Sequence, residues 1–204
     1  MTLNAKYKMN VNTSSINTTD KIKELDDLAQ ALSAVRASGK KVVHCHGVFD
    51  LLHIGHIRHF QQAKEMGDVL VVTTTPDAYV NKGDGRPAFG ETLRAEALAA
   101  LDCVDFVAIN RWPLAAETIR MLQPHFYVKG ADYRDANDDI TGGIRLEEEA
   151  IQSVGGTLAF TDDITFSSSN LINRHLPVFS KEVSDYLDGF RGRYDSGEVL
   201  SYMD

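Results

Sequence analysis

Lys41-Val42-Val43-His44-Cys45-His46-Gly47-Val48-Phe49-Asp50-Leu51-Leu52-His53-Ile54-Gly55-His56 is the stretch from which the fold can be read. Its first six residues form a short run with two β-branched valines, a candidate for a buried strand. Gly47 follows at once, and a helical pattern then runs to about Met66. A glycine-bearing turn between a strand and a helix presents backbone N–H groups and the positive end of a helix dipole, which together favour a phosphate. His53 and His56 stand three residues apart, so at a helix start both imidazoles share one face. Gly55 between them has no side chain and lets a ligand approach the backbone. Two imidazole N–H donors aimed at one point suit a phosphoryl group whose charge grows in the transition state. Asp50 is placed to orient a histidine or to help position a magnesium ion.

The same alternation extends outward from this stretch. Upstream, Ile22–Ser38 has apolar residues at helical spacing, with Asp20 as its expected N-cap. Downstream, strands are expected at Val69–Thr74, Val104–Ile109, Phe126–Val128 and Thr157–Phe160. Helices are expected at Thr92–Leu101, Ala115–Leu122 and Ile144–Val154. Apolar strands alternating with amphipathic helices predict an α/β fold: a doubly wound, five-stranded parallel sheet of Rossmann-like type, with helical extensions at both ends. Residues 1–20 read as a polar, disordered tail, 21–176 as the domain, and 177–204 as a helical extension or a linker to a second domain. In that last segment Val183, Tyr186, Leu187 and Phe190 follow helical spacing and need a partner surface.

Composition narrows the function classes. A chain of 204 residues with 43% hydrophobic and 25% charged residues is long enough for one well-buried domain. Its net charge of −8 argues against a nucleic-acid binder, which needs a basic face. No apolar run approaches the roughly 20 residues of a membrane-spanning helix, and the amino terminus carries no secretory pattern. Two cysteines, Cys45 and Cys103, make no disulfide framework and fit a reducing cytoplasm.

Ligands of such sheets bind beyond the carboxyl ends of the strands, so the segments after each strand are the candidates for chemistry. After the second strand, Lys82 and Arg86 lie in a Gly-rich stretch suited to gripping the β- and γ-phosphates; a solvated basic loop is the plain alternative. Arg94, in the next helix pattern, is a candidate nucleotide or substrate contact. Lys129, after the fourth strand, is either a phosphate ligand or half of an ion pair. Ser167, Ser168 and Ser169 open a helix-like run after the last strand, as an N-cap and a second anion site. Five of the seven histidines fall between His44 and His59, which raises a metal site, but no CxxC or HExxH spacing accompanies them.

GVFDLLHIGH resembles the signature of the HIGH-motif nucleotidyltransferases, most nearly the heptose-1-phosphate adenylyltransferase branch and next the glycerol-3-phosphate cytidylyltransferases. The likeness runs from about Leu25 to Arg174 and takes in GDVLVV, PDAYVNKGDGRP, RAEALAALDCVDFV, ETIRMLQPHFYVKGADY and FSSSNLINR. It implies transfer of AMP or CMP from ATP or CTP to a small phosphorylated sugar or polyol, with Mg²⁺ required and pyrophosphate released. The nucleophile is then a phosphate oxygen that is already anionic, so no strong general base is needed. His53, His56 and Lys82 become the expected catalytic residues. Nucleotide contacts are expected from Gly47, Val48, Phe49, Asp50, Gly55, Arg86, Arg94, Lys129, Gly130, Asp132, Tyr133 and Ser167–Ser169. A homodimer and a fused or associated sugar kinase are expected partners. The sequence departs from the pattern at His46, where the heptose enzymes usually carry Asn, and at Phe166-Ser167-Ser168-Ser169, where serine replaces threonine.

Overall fold

Thirteen elements follow Thr18 in the computed structural model, which describes residues 18–83, 85–133 and 143–162 together with 182–183, 185–186, 189 and 193. In chain order they are α1 (Thr18–Lys21), α2 (Leu25–Ala37), β1 (Val42–Gly47), α3 (Ile54–Glu65), β2 (Val69–Thr74), a 3₁₀ turn (Asp77–Tyr79) and α4 (Glu91–Ala99). There follow β3 (Phe106–Ile109), α5 (Ala116–Leu122), β4 (Phe126–Lys129), a second 3₁₀ turn (Ala131–Tyr133), α6 (Gly143–Ser153) and β5 (Thr157–Phe160).

Side chains alternate across a strand, so the apolar strands serve two cores at once. Val43, Cys45, Leu70 and Val72 pack with Phe60 and Ala63 of α3 and with Ala95, Leu98 and Ala99 of α4. Val42 and Val71 pack with Leu25, Leu28 and Leu32 of α2 and Leu122 of α5. A third cluster joins Tyr127 of β4 to Ile119 of α5 and to Ala150 and Ile151 of α6. Helices thus cover both faces, and every strand pair is parallel. The strand order is β3-β2-β1-β4-β5. From β1 the chain winds one way to β3 and then returns to the other side, so the order reverses between β1 and β4. A crevice opens where the connections leaving two such neighbours diverge. Gly47 ends one of these strands and Lys129 the other.

The expected doubly wound, five-stranded parallel sheet is therefore present. Three local expectations change. Asp20 does not cap α2: it belongs to α1, and α2 begins only at Leu25, with Glu24 in the capping position. Between the two helices Ile22 bridges to Val107, and Lys23 N–H donates to the Val107 carbonyl at 2.9 Å. β3 lies at the sheet edge, and its open backbone groups take up this segment in place of a helical turn. Residues 18–20 of the expected tail are helical, within α1 (Thr18–Lys21), and the rest of that tail lies outside the described residues. β3 itself starts at Phe106 rather than Val104, because the Asp105 carboxylate accepts from Leu70 N–H and from Lys64.

The chain divides into two compact units, Met1–Thr165 and Phe166–Asp204; the sequence reading placed that boundary later, after residue 176. In the second unit Glu182, Val183, Asp185, Tyr186 and Gly189 are helical. Leu187 and Phe190 lie outside the described residues, as does most of the expected tail. Among the described residues no helix is long and apolar enough to cross a membrane.

Candidate active site

The turn after β1 is held from behind by its carbonyls. Gly47 O accepts from Thr75 N–H at 3.0 Å, and Val48 O accepts from the Thr74 hydroxyl and from Arg94 Nη1. Phe49 then adopts φ +49°, a left-handed conformation that bulky residues rarely take. His53 caps α3: its Nδ1 accepts from Gly55 N–H at 3.2 Å, which leaves the proton of the neutral ring on Nε2. The rings of His53 and His56 stack, with centroids 3.9 Å apart and planes 27° apart, so the two imidazoles read from the spacing do meet. His56 Nδ1 is buried and has no hydrogen-bond partner among the described residues. Burial, helped by His53, His59 and Lys82 nearby and opposed by a backbone hydrogen bond at Leu51, lowers the His56 pKa to about 3, so the ring is neutral at pH 7 and carries one N–H. Lys82 thus lies within electrostatic reach of His56. Its own ammonium pKa is lowered, first by desolvation and then by Arg86.

Asp50 differs from the expectation. Its carboxylate accepts from Arg86 Nε at 2.5 Å, from Ala88 N–H at 2.6 Å and from Phe89 N–H at 3.3 Å, with no side-chain surface exposed. Both oxygens are engaged, so it orients no histidine and offers no face to a metal; it anchors the 86–89 loop against the signature turn. Arg86 keeps one buried nitrogen, Nη2, without a partner. Arg94 is corrected more fully. It is 2% exposed and donates to Phe89 O, Val48 O, the Thr74 hydroxyl, Thr75 O and Asp77, which uses its five N–H groups. It braces the ends of β1 and β2 from below and has no donor left for a nucleotide.

At the end of β4, Lys129 Nζ lies 2.9 Å from Glu147 of α6, and both side chains are largely buried. The ion-pair alternative is thus the one formed. Glu147 also accepts from Ala115 N–H at 3.2 Å, and the Tyr133 ring lies 4.6 Å from the Lys129 ammonium. Tyr133 closes a turn by donating to Gly130 O at 3.1 Å, and its side chain is exposed. The Asp132 side chain and Ser167, Ser168 and Ser169 lie outside the described residues.

Sequence reading missed a polar chain beneath the rim. His44 Nε2 and His46 Nδ1 both meet the Thr73 hydroxyl, at 2.7 and 2.9 Å, and His46 Nε2 meets the Thr75 hydroxyl at 3.2 Å. His44 Nδ1 is buried without a partner. An unmet lone pair is tolerated better than an unmet N–H, which favours the tautomer with the proton on His44 Nε2. His44 then donates to Thr73, Thr73 to His46, and His46 to Thr75. Burial lowers the pKa of both histidines to about 3. His59, one turn beyond His56, reaches across to the Thr161 hydroxyl at 2.8 Å. The signal was present in the alternation of β1, where His44 occupies a core-facing position, and in the spacing of His53, His56 and His59. Glu147 gave none, because an acidic run on a helix ordinarily faces water.

Among the described residues no group of three His, Cys, Asp or Glu side chains could hold a metal ion. Asp50, the carboxylate read as able to position magnesium, is buried among protein donors, and no step below runs through a metal.

The stacked imidazoles of His53 and His56 thus stand just after β1, beside the point where the strand order reverses. The chain belongs to the cytidylyltransferase-like family, whose model matches residues 44–174. It is 40% identical over 168 residues to bifunctional protein HldE of Geobacter metallireducens, covering 79% of this chain and 32% of that protein. The protein of the same name from Geotalea uraniireducens is 42% identical over 160 residues, covering 76% and 31%. The chain thus spans about a third of the length of these curated relatives. A crystal structure of the lipopolysaccharide core biosynthesis protein from Thermoplasma volcanium aligns with TM-score 0.50 and 25% identity, over 62% of this chain and 100% of that one. A pantoate-beta-alanine ligase from Francisella tularensis shares the fold alone, with TM-score 0.54 and 14% identity.

Proposed function

We propose that this site transfers AMP, or CMP, from ATP or CTP to a phosphorylated sugar such as a heptose 1-phosphate. One observation carries the reading: in the stacked His53–His56 pair the buried His56 Nδ1 is unmet among the described residues and lies within electrostatic reach of Lys82, which in turn feels Arg86, whose buried Nη2 is also unmet. Buried polar atoms are ordinarily paired, and a phosphate oxygen would pair the Arg86 nitrogen and, in the tautomer protonated at Nδ1, His56 as well. A phosphate oxygen of the acceptor attacks the α-phosphorus. The bond to the bridging oxygen breaks, and pyrophosphate leaves with the electron pair. His53 and His56 donate to the α-phosphate as its charge grows. Lys82 and Arg86 hold the departing phosphates. A magnesium ion, where the reaction requires one, would supply charge neutralisation for the departing phosphates, and the residues that hold those phosphates remain Lys82 and Arg86.

The heptose assignment rests on the resemblance of GVFDLLHIGH to the heptose-1-phosphate adenylyltransferases, and the 40% identity to bifunctional protein HldE supports that branch. The relatives are named bifunctional, which supports a fused or associated sugar kinase as part of the proposal; a homodimer is proposed with it. A cytoplasmic location is favoured by the two free thiols, Cys45 and Cys103. The family description, cytidylyltransferase-like, is compatible with CTP, and CTP with a polyol or glycerol phosphate, from the resemblance to the glycerol-3-phosphate cytidylyltransferases, is the second reading.

A pyrophosphate-release screen of ATP and CTP against sugar 1-phosphates and polyol phosphates tests this. Release is expected with one NTP and one sugar 1-phosphate. Release only with a polyol phosphate moves the assignment to the second reading. Tight NTP binding with no release against any acceptor makes the chain a nucleotide-binding regulatory module and overturns the proposal.

A further inference from the structure

Phe49 sits at the crossing of three independent observations. Its backbone is left-handed, at φ +49°, a conformation that is strained for a non-glycine residue and persists where the surroundings impose it. Its ring meets His56 edge-to-face, with centroids 5.3 Å apart and planes at 87°, and meets Phe60 of α3 at 5.1 Å and 66°. The same ring lies over Gly47: a Cβ added there would stand 3.0 Å from Cζ and 3.2 and 3.3 Å from the two Cε atoms, and these ring carbons are the three nearest atoms it would meet. Gly47 has no positive φ, so its lack of a side chain answers to the Phe49 ring and not to its own backbone.

His56 is thereby held from two sides. His53 stacks on it at 3.9 Å, and Phe49 abuts it nearly at a right angle. An imidazole has two soft side-chain torsions, and a neutral donor is useful to a phosphate only if its N–H direction is fixed beforehand. Stacking alone leaves the ring free to slide in its own plane. A perpendicular neighbour removes that freedom.

We propose that Phe49 is a positioning residue for catalysis: its ring, seated over Gly47 by a left-handed backbone turn, locks the His56 imidazole in its donor orientation. This rests on the reading above that His56 acts at the transferred phosphate.

Phe49→Leu isolates the ring, because leucine meets the same backbone penalty at this φ. The expected result is a roughly tenfold or larger fall in kcat, the scale of a small misplacement of a reacting group. KM for the nucleotide should stay within about threefold, since uniform binding is kept. Gly47→Ala approaches the same ring from its other side and should also lower kcat, without removing any aromatic contact by deletion. In the Phe49→Leu background Gly47→Ala should add little, because the ring it would displace is gone. The His56 NMR titration gives a readout that a scaffold role would not move: in Phe49→Leu its pKa should rise from about 3 toward the ordinary 6.5 as water reaches the ring. Wild-type kcat in folded Phe49→Leu overturns the proposal, and so do fully additive losses in the double variant. His56→Ala separates the two readings. If it turns over normally, the catalytic assignment fails; if it is dead while Phe49→Leu is unaffected, only the positioning role fails.

Discussion

Asp50 and Arg94 show what a motif says at the scale of one residue. Both stand in segments that resemble a nucleotide-binding family, and both were expected at the ligand. Their side chains are instead consumed within the protein, Asp50 by Arg86 and two loop amides and Arg94 by five acceptors. A pattern reports that a residue type is needed at a position; whether it faces a ligand or the scaffold depends on partners from elsewhere in the chain. Asp50→Asn tests the scaffold role. The amide keeps an acceptor for the loop N–H groups but removes the charge facing a largely buried guanidinium. Breaking such a pair from one side should cost about 3 kcal/mol, read by chemical denaturation. A loss under about 1 kcal/mol, the worth of an exposed pair, would show that Arg86 finds water instead.

Elements were legible where local signals agreed. The five strands were read from their apolar runs, and α3 from its apolar spacing and its glycine turn, because burial and periodicity are properties of a few adjacent residues. The start of α2 was misread for the opposite reason: Ile22 and Lys23 leave the helix to pair with the edge of β3, a partner some 85 residues away in the chain. The site followed the same division. The His53–His56 stack follows from a spacing of three within one helix. The Lys129–Glu147 pair, the His59–Thr161 bond and the Thr73 bridge between two histidines each join different elements, and no local pattern announces them.

At the scale of the whole molecule four largely buried histidines, His44, His46, His56 and His59, gather on β1 and α3, and this has a consequence for stability. His44, His46 and His56 are lowered to about 3 and His59 to about 4, in each case mainly by burial. Their folded values lie below the ordinary 6.5, so between the two the unfolded chain binds more protons than the native one. The stabilisation is therefore complete above pH 6.5 and is lost as pH falls toward 4 and then 3. Each histidine contributes up to about 1.4 kcal/mol per pH unit in that window. Melting temperature should be flat from pH 8 to 7 and fall steeply below 6. Equal melting temperatures at pH 7.5 and 5 would mean that these imidazoles are solvated and that the rim is looser than described. The same gathering is what the functional account depends on, since the reversal of strand order between β1 and β4 places the signature turn beside the Lys129 end of the sheet. Its most direct test is pyrophosphate formation at saturating NTP and sugar phosphate by the wild-type chain and by His56→Ala. The account predicts that the variant folds and binds NTP but loses kcat by roughly 10²-fold, the worth of one preorganised donor. Wild-type turnover by His56→Ala would contradict it.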